Sequence, residues 1–227
     1  MKDNEILSEI ENRCINRICH FTKSKNLSHI LNDFQGIYAI DFLLENYQDY
    51  NDSLRLDGKT DYICCSIEYP NVFYLDRIKN NDKLFKEWII LSIDPKVMCL
   101  EETLFSKVNS ATEKGRYISK GINGFRSLFE DQIVTSKRSI TRTTTMLQSS
   151  PTDIQAEVLI YKKIPIKYIK EIIVKSELQA REEFFRMKLW GGKSDIPIIV
   201  APELFESNLS KKLRAGEVPK EYRYSLK

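Results

Sequence analysis

The stretch Thr152-Asp153-Ile154-Gln155-Ala156-Glu157-Val158-Leu159-Ile160-Tyr161 sets a single carboxylate inside an apolar run. From 156 to 161 the residues are short, branched or aromatic, and the segment reads as a strand. Successive side chains of a strand alternate between its faces. Glu157 is therefore expected opposite Ala156, Val158 and Ile160, and on the same face as Gln155 two positions earlier. Taken alone, such a glutamate is more often an ordinary exposed strand residue. Its meaning depends on what surrounds it.

Working outward, further strands are expected at 14–21, 62–69, 88–93, 171–175 and 196–200. Pro70-Asn71 stops the second of these and Asp94-Pro95 the third. Ile6, Leu7 and Ile10 have helical spacing near the N-terminus. Leu27, Ile30 and Leu31 form a second apolar face, capped by Thr22 or Ser24 and closed by Gln35-Gly36. Residues 177–190 carry Leu178, Arg181, Phe184, Phe185 and Leu189 in a helical rhythm. A turn of helix is expected at 122–129 and another at 164–169. Polar stretches at 48–58 and 106–153 read as loops, and the longer one is of a length usually kept for function. Strands joined by irregular connections, rather than by regular helices, predict an α+β fold. No repeat or flexible linker divides the chain, so residues 1–227 read as one domain.

Bulk properties narrow the classes of function. The chain has 227 residues, 42% hydrophobic and 30% charged, as ordinary globular proteins do. No apolar run approaches the roughly 20 residues that span a bilayer. The polar start Met1-Lys2-Asp3-Asn4-Glu5 lacks the apolar core of a secretory signal. A cytoplasmic protein without a membrane partner is expected. Five cysteines, Cys14, Cys19, Cys64, Cys65 and Cys99, form no C-x-x-C pair, and the histidines are only His20 and His29. Disulfides and a metal site are not expected. A net charge of +3 announces no global nucleic-acid field. The basic residues nevertheless gather within 107–142, including Arg116, Lys137, Arg138 and Arg142, interleaved with Tyr117, Phe125 and Phe129. Glycine-rich nucleotide motifs, G-x-G-x-x-G and G-x-x-x-x-G-K-[ST], are absent.

Three segments, in order, carry a resemblance. Ile18-Cys19-His20-Phe21-Thr22-Lys23-Ser24-Lys25-Asn26-Leu27 resembles the opening H-x-T-x-x-x-N-L pattern of the DarT family of ADP-ribosyltransferases. Asn51-Asp52-Ser53-Leu54-Arg55-Leu56-Asp57-Gly58, with the strand after it, resembles that family's arginine-bearing segment. The stretch around Glu157 resembles its A-E-[FV]-L catalytic strand, and Ile164-Pro165-Ile166-Lys167-Tyr168-Ile169 suits the element that follows.

The resemblance implies an ADP-ribosyltransferase fold, a split and largely antiparallel β core with peripheral helices and NAD⁺ in a central cleft. It implies that NAD⁺ is the substrate and that no metal takes part. Glu157 is then the catalytic carboxylate, stabilising an oxocarbenium-like transition state and taking the acceptor's proton. Gln155 orients the acceptor. His20, Thr22 and Asn26 contact NAD⁺, and Tyr74 stacks on nicotinamide. Arg55 binds the pyrophosphate or holds the active-site loop, as a guanidinium grips paired oxygens; Arg77 is its rival. Arg116, Lys137, Arg138 and Arg142 are expected on the phosphates of a single-stranded nucleic acid. Cys64-Cys65 and the Gln-Ala-Glu triplet depart from the thymidine-modifying version. They point towards a branch that modifies guanine or acts on messenger RNA, so the base, and DNA against RNA, stay open. The resemblance further implies a bacterial toxin directed against phage and restrained by a cognate antitoxin. Two other readings stand beside it: transfer to a protein side chain, and a catalytically inactive nucleic-acid-binding relative.

Overall fold

The computed structural model describes residues 4–43, 55–81, 85–190 and 196–226. The first half runs α1 (Asn4–Asn12), β1 (Ile18–Lys23), β2 (Gly36–Tyr38), β3 (Tyr62–Ile67), α2 (Val72–Asn81), β4 (Trp88–Ile93), β5 (Leu104–Ser106), β6 (Ile118–Lys120) and α3 (Gly121–Ser127). The second half runs β7 (Gln132–Val134), β8 (Ser139–Thr141), β9 (Glu157–Tyr161), β10 (Lys163–Pro165), β11 (Ile169–Val174), α4 (Glu177–Leu189), β12 (Ile198–Val200), α5 (Leu209–Arg214) and β13 (Tyr222–Arg223).

Trp88-Ile89-Ile90-Leu91-Ser92-Ile93 organises this architecture. All six residues of β4 are buried, because β4 lies inside a nine-stranded sheet ordered β13-β12-β11-β4-β1-β3-β9-β5-β6. Its alternate residues feed two cores. Ile89, Leu91 and Ile93 join the cluster built with α1, α3 and β9. Trp88 and Ile90 join the cluster against α2 and α5. Each such buried aliphatic side chain contributes roughly 1.5–3 kcal/mol. The pairing is antiparallel except between β11 and β12, so the fold is α+β with a largely antiparallel sheet, as expected.

The sheet opens at one point. β1 pairs with β4 along its whole length, from Ile18↔Ile93 to Lys23↔Trp88. On its other side it pairs with β3 only at Ile18↔Ile67 and Cys19↔Ser66. Beyond that pair β3 instead follows β9, from Cys65↔Val158 to Tyr62↔Tyr161. A cleft forms where the two strands part. Lys162, with φ 63°, turns the chain sharply after β9, so β10 leaves the main sheet and pairs with β2. That small second sheet forms a wall of the cleft.

Several elements differ from expectation. The first strand starts at Ile18 rather than 14, because residues 14 and 15 close α1. Cys14 has φ 54°, with its N–H on Glu11 O and the Ile15 N–H on Ile10 O. This is the Schellman arrangement, with cysteine where glycine is usual. Ile30 and Leu31 belong to a π-helical turn, His29–Asp33, and Leu27 to a two-residue α-helical step between it and the 3₁₀ turn Ser24–Asn26; neither Thr22 nor Ser24 caps the segment. Residues 72–81 form α2, a helix the sequence reading missed, so Tyr74 and Arg77 stand on a helix rather than past a strand end. α4 buries Ala180, Glu183 and Met187 and exposes Leu178, Phe185 and Leu189, so that of the expected apolar residues only Phe184 packs against the core. The polar region holds β6, α3 and a β7–β8 hairpin, with three-residue strands too short to show a period.

Candidate active site

Glu157 opens β9 opposite Ser106 of β5. That register brings the chain leaving β5 across the carboxylate. Asn109 Nδ2 donates to its Oε1 at 2.8 Å, and the Ser110 N–H donates to its Oε2 at 2.9 Å. The side chain lines the cleft but the residue is only 7% exposed. Burial raises its pKa from 4.5 to about 7; the bonds from Ser110 and the charge of Arg55 pull it down, and Asp57 pushes it further up.

A relay of contacts runs from Glu157 to the arginine-bearing segment. The Ser110 hydroxyl donates to Asp57 Oδ2 at 3.0 Å. Arg55 grips Asp57 with Nε at 3.0 Å and Nη2 at 3.1 Å. It also donates to the carbonyls of Tyr62, at 3.0 Å, and Lys59. Burial opposes the charge on Asp57, yet the Arg55 bonds and charge hold its pKa below the ordinary value. Arg55 itself adopts φ 29°, a left-handed conformation held by this network. These four donor contacts all stay within its own segment, residues 57–62. Asn51, Asp52, Ser53 and Leu54 lie outside the described residues. Arg77 is exposed on α2 with its guanidinium 4.7 Å from the Tyr74 ring centroid; it does not line the cleft.

The other expected NAD⁺ contacts, His20, Thr22, Asn26 and Tyr74, all line the cleft. His20 Nδ1 lies 2.9 Å from Cys64 O, across the gap between β1 and β3. Burial lowers its pKa, so the ring is neutral near pH 7. A carbonyl partner requires the proton on Nδ1, which leaves Nε2 as an acceptor. Asn26 Nδ2 donates to Thr22 Oγ1 at 3.1 Å. Tyr74 packs its ring 5.8 Å from Phe21.

Gln155 is placed differently. It lies in a turn before β9, where Asp153 Oδ1 accepts the Gln155 N–H at 3.0 Å. An aspartate binding the backbone two residues ahead makes its own turn and delays the strand. Gln155 therefore shares no strand face with Glu157 and does not line the cleft. With its amide oriented to suit its neighbours, its oxygen accepts from both Arg138 Nη atoms at 3.0 Å. Arg138 also pairs with Asp153 at 2.5 Å. Arg116 and Lys137 are exposed, with Arg116 reaching Glu113 at 3.1 Å. Arg142 is committed inward: it donates to Ser150 O and Leu147 O at 2.8 Å each, and to Thr152 Oγ1.

A profile of the family described as "ssDNA thymidine ADP-ribosyltransferase, DarT" matches residues 19–205. The chain belongs to the DarT family. It is accordingly an NAD⁺-dependent ADP-ribosyltransferase of a family that modifies single-stranded DNA, with NAD⁺ as its substrate. Solved structures show the same fold. Thermus sp. 2.9 DarT in complex with NAD⁺ matches with TM-score 0.61 at 16% identity, covering 84% of this chain and 98% of that one. The same protein in complex with ADP-ribosylated ssDNA matches with TM-score 0.61 at 14% identity, over 84% and 96%. Thermosipho africanus DarTG in complex with ADP-ribose matches with TM-score 0.56 at 16% identity, over 84% of this chain and 51% of that one. No curated protein sequence matches.

Sequence reasoning missed Asp57, Asn109 and Ser110 as the residues that surround Glu157 in this cleft. Asn109-Ser110 follows the short strand β5, and two small hydrogen-bonding residues in a polar loop carry little signal by themselves. Among the described residues no group of three or more His, Cys, Asp or Glu side chains could hold a metal. No described helix is long and apolar enough to cross a membrane.

Proposed function

We propose that this chain transfers ADP-ribose from NAD⁺ to thymine in single-stranded DNA, with Glu157 as the catalytic carboxylate. The observation that carries the proposal is the buried Glu157 side chain in the cleft, oriented by Asn109 and Ser110. An anion fixed in a poorly hydrated site stabilises positive charge as it develops on the ribosyl carbon, without having to reorganise. The thymine of a nucleoside carries one ring N–H, at N3. In the transfer, the nicotinamide–ribose bond breaks and nicotinamide leaves with that electron pair. The N3–ribose bond forms and the N3 proton passes to Glu157. A carboxyl with a pKa of about 7 is poised to accept it near neutral pH.

The remaining residues take supporting roles. His20 Nε2 accepts from a ribose hydroxyl, Thr22 and Asn26 line the same part of the cleft, and Tyr74 with Phe21 offers an aromatic wall to nicotinamide. Arg55 holds Asp57, and Asp57 in turn holds Ser110 against the carboxylate. Arg116, Lys137 and Arg138 meet DNA phosphates, whereas Arg142 closes the loop that presents them. Gln155 acts on the acceptor only through Arg138. The guanine and messenger-RNA readings drew on Cys64-Cys65 and on the Gln-Ala-Glu triplet; the family profile, and Gln155 lying outside the cleft, favour thymine in DNA. A cellular role as a toxin restrained by an antitoxin belongs to the same proposal, supported by the likeness to DarTG.

The test is transfer of radiolabel from NAD⁺ to oligonucleotides with and without thymine, to RNA and to a protein extract, with wild type and Glu157→Ala. Label on thymine-bearing single strands with wild type alone is the expected result. Label on RNA or protein only would overturn the acceptor assignment. Transfer by the variant would overturn the role of Glu157.

A further inference from the structure

Asn71 is the N-cap of α2. Its Oδ1 accepts from the Tyr74 N–H at 3.1 Å, and its main-chain carbonyl accepts from the Leu75 N–H at 3.0 Å. A backbone N–H can only be met by an acceptor, so this bond fixes which end of the amide faces the helix. The other end, Nδ2, carries two donors. The residue is 2% exposed, and Nδ2 has no hydrogen-bond partner among the described residues.

Such a group is costly, because a buried donor left unmet loses its water without compensation. Serine, threonine or aspartate would cap the helix equally well and leave no stranded amine. Five other described residues bury a polar side-chain atom without a hydrogen-bond partner: Arg13, whose Nε is nonetheless ion-paired with Glu9, Trp88, Ser106, Ser150 and Glu183. None of those residues lines the cleft, and Asn71 does. Phe21 and Tyr74, 5.8 Å apart, line it as well. An aromatic pair beside an unmet amide donor suits a flat ring that carries a carbonyl oxygen.

We propose that Asn71 Nδ2 donates to a ring-borne carbonyl oxygen in the cleft and positions that ring for transfer. The oxygen belongs to the nicotinamide carboxamide of NAD⁺ or to the acceptor base. The assignment rests on the proposed NAD⁺-to-thymine reaction and makes Asn71 a binding residue whose cost in the free protein is recovered on ligand binding.

Asn71→Asp and Asn71→Ser both keep a capping oxygen and remove the amide donor. Two measurements follow: calorimetric titration of each variant with NAD⁺ alone, and the KM for a thymine-bearing oligonucleotide at saturating NAD⁺. Loss of one buried hydrogen bond corresponds to roughly a tenfold change. A tenfold weaker NAD⁺ affinity, at an unchanged or higher melting temperature, places the oxygen on nicotinamide. Unchanged NAD⁺ affinity with a tenfold higher oligonucleotide KM places it on the base. Both values unchanged, or a marked fall in melting temperature in both variants, would overturn the proposal and leave Asn71 a purely structural cap. Wild type that binds NAD⁺ but modifies no DNA would sink the acceptor reading and leave the NAD⁺ arm intact.

Discussion

Replacing Glu157 by glutamine should change how the stability of this protein depends on pH, by an amount the structure allows to be worked out. Burial raises the folded carboxyl from 4.5 to about 7, so the folded state binds the proton more tightly than the unfolded chain does. The stabilising contribution is complete below the unfolded pKa. It declines as pH rises from about 4.5 and is lost once pH passes about 7. At roughly 1.4 kcal/mol for each pH unit, the full loss is about 3 kcal/mol, of which about 2.5 kcal/mol falls between pH 5 and pH 8. Glutamine stays neutral throughout and lacks this slope.

The substitution also has a fixed cost. The new amide nitrogen must face a donor, either Asn109 Nδ2 or the Ser110 N–H, and a mismatch of that kind costs about 1–3 kcal/mol at every pH. The informative quantity is therefore the change with pH in the difference between wild type and variant. Urea denaturation of both proteins without NAD⁺, at pH 5 and pH 8, measures it. Glu157→Gln should gain about 2.5 kcal/mol on wild type between those conditions. A difference constant to within about 0.5 kcal/mol would mean that the carboxyl titrates near its ordinary value. The reasoning from burial would then fail.

Other outcomes follow from the same geometry. Transfer by wild type should rise with pH through about 7 as Glu157 ionises, and single-turnover rates would show it. Asp57→Asn removes a negative charge that raises the Glu157 pKa, so the midpoint should move to lower pH; a midpoint that stays or rises refutes the coupling. Arg142→Ala should cost about 1–3 kcal/mol in urea denaturation, because it strips donors from buried and half-buried oxygens, while leaving the salt dependence of DNA binding unchanged. Lys137→Ala should keep the stability but lower the slope of log affinity against log salt by about 0.7. Gly36→Ala should destabilise by at least about 1–3 kcal/mol, since its Cβ would stand 2.3 Å from Ile164 O at φ +145°; an unchanged melting temperature would show that β10 yields freely.

What the sequence disclosed tracks how local each interaction is. Trp88–Ile93 was legible in full, because a strand buried on both faces announces itself by its composition alone. Glu157 was legible through an apolar run and two ordered motifs upstream. Its neighbours were not. Asn109, Ser110 and Asp57 reach the carboxylate only through the β5–β9 register and the fold of the 55–62 loop, which no spacing in the chain encodes. Gln155 misled because alternation holds only inside a strand, and the turn that Asp153 opens runs through Gln155, so the strand begins only at Glu157. Cys14 misled because a left-handed helix end normally carries glycine. Residues 72–81 open with four non-polar or aromatic residues in a row, Val72 to Leu75, which masks the buried stripe of Val72, Leu75 and Ile78.

The arrangement around Glu157 ties stability and chemistry to one physical cause. Its carboxylate is held by two donors from 109–110, and of these Ser110 is held in turn by Asp57, itself gripped by Arg55. Three segments remote in sequence must therefore be in place before the charge is oriented. A fully solvated glutamate would cost the fold nothing, but its pKa near 4.5 would make it a poor proton acceptor, and water would screen its charge from the ribosyl carbon. Burial supplies both the basicity and the field, and the donors from 109–110 keep the ionised form within reach near neutral pH. Removing Asn109 or Ser110 contacts should consequently raise the Glu157 pKa, whereas neutralising Asp57 should lower it. Opposite shifts from two positions in one relay are what a purely steric account of the loop would not produce.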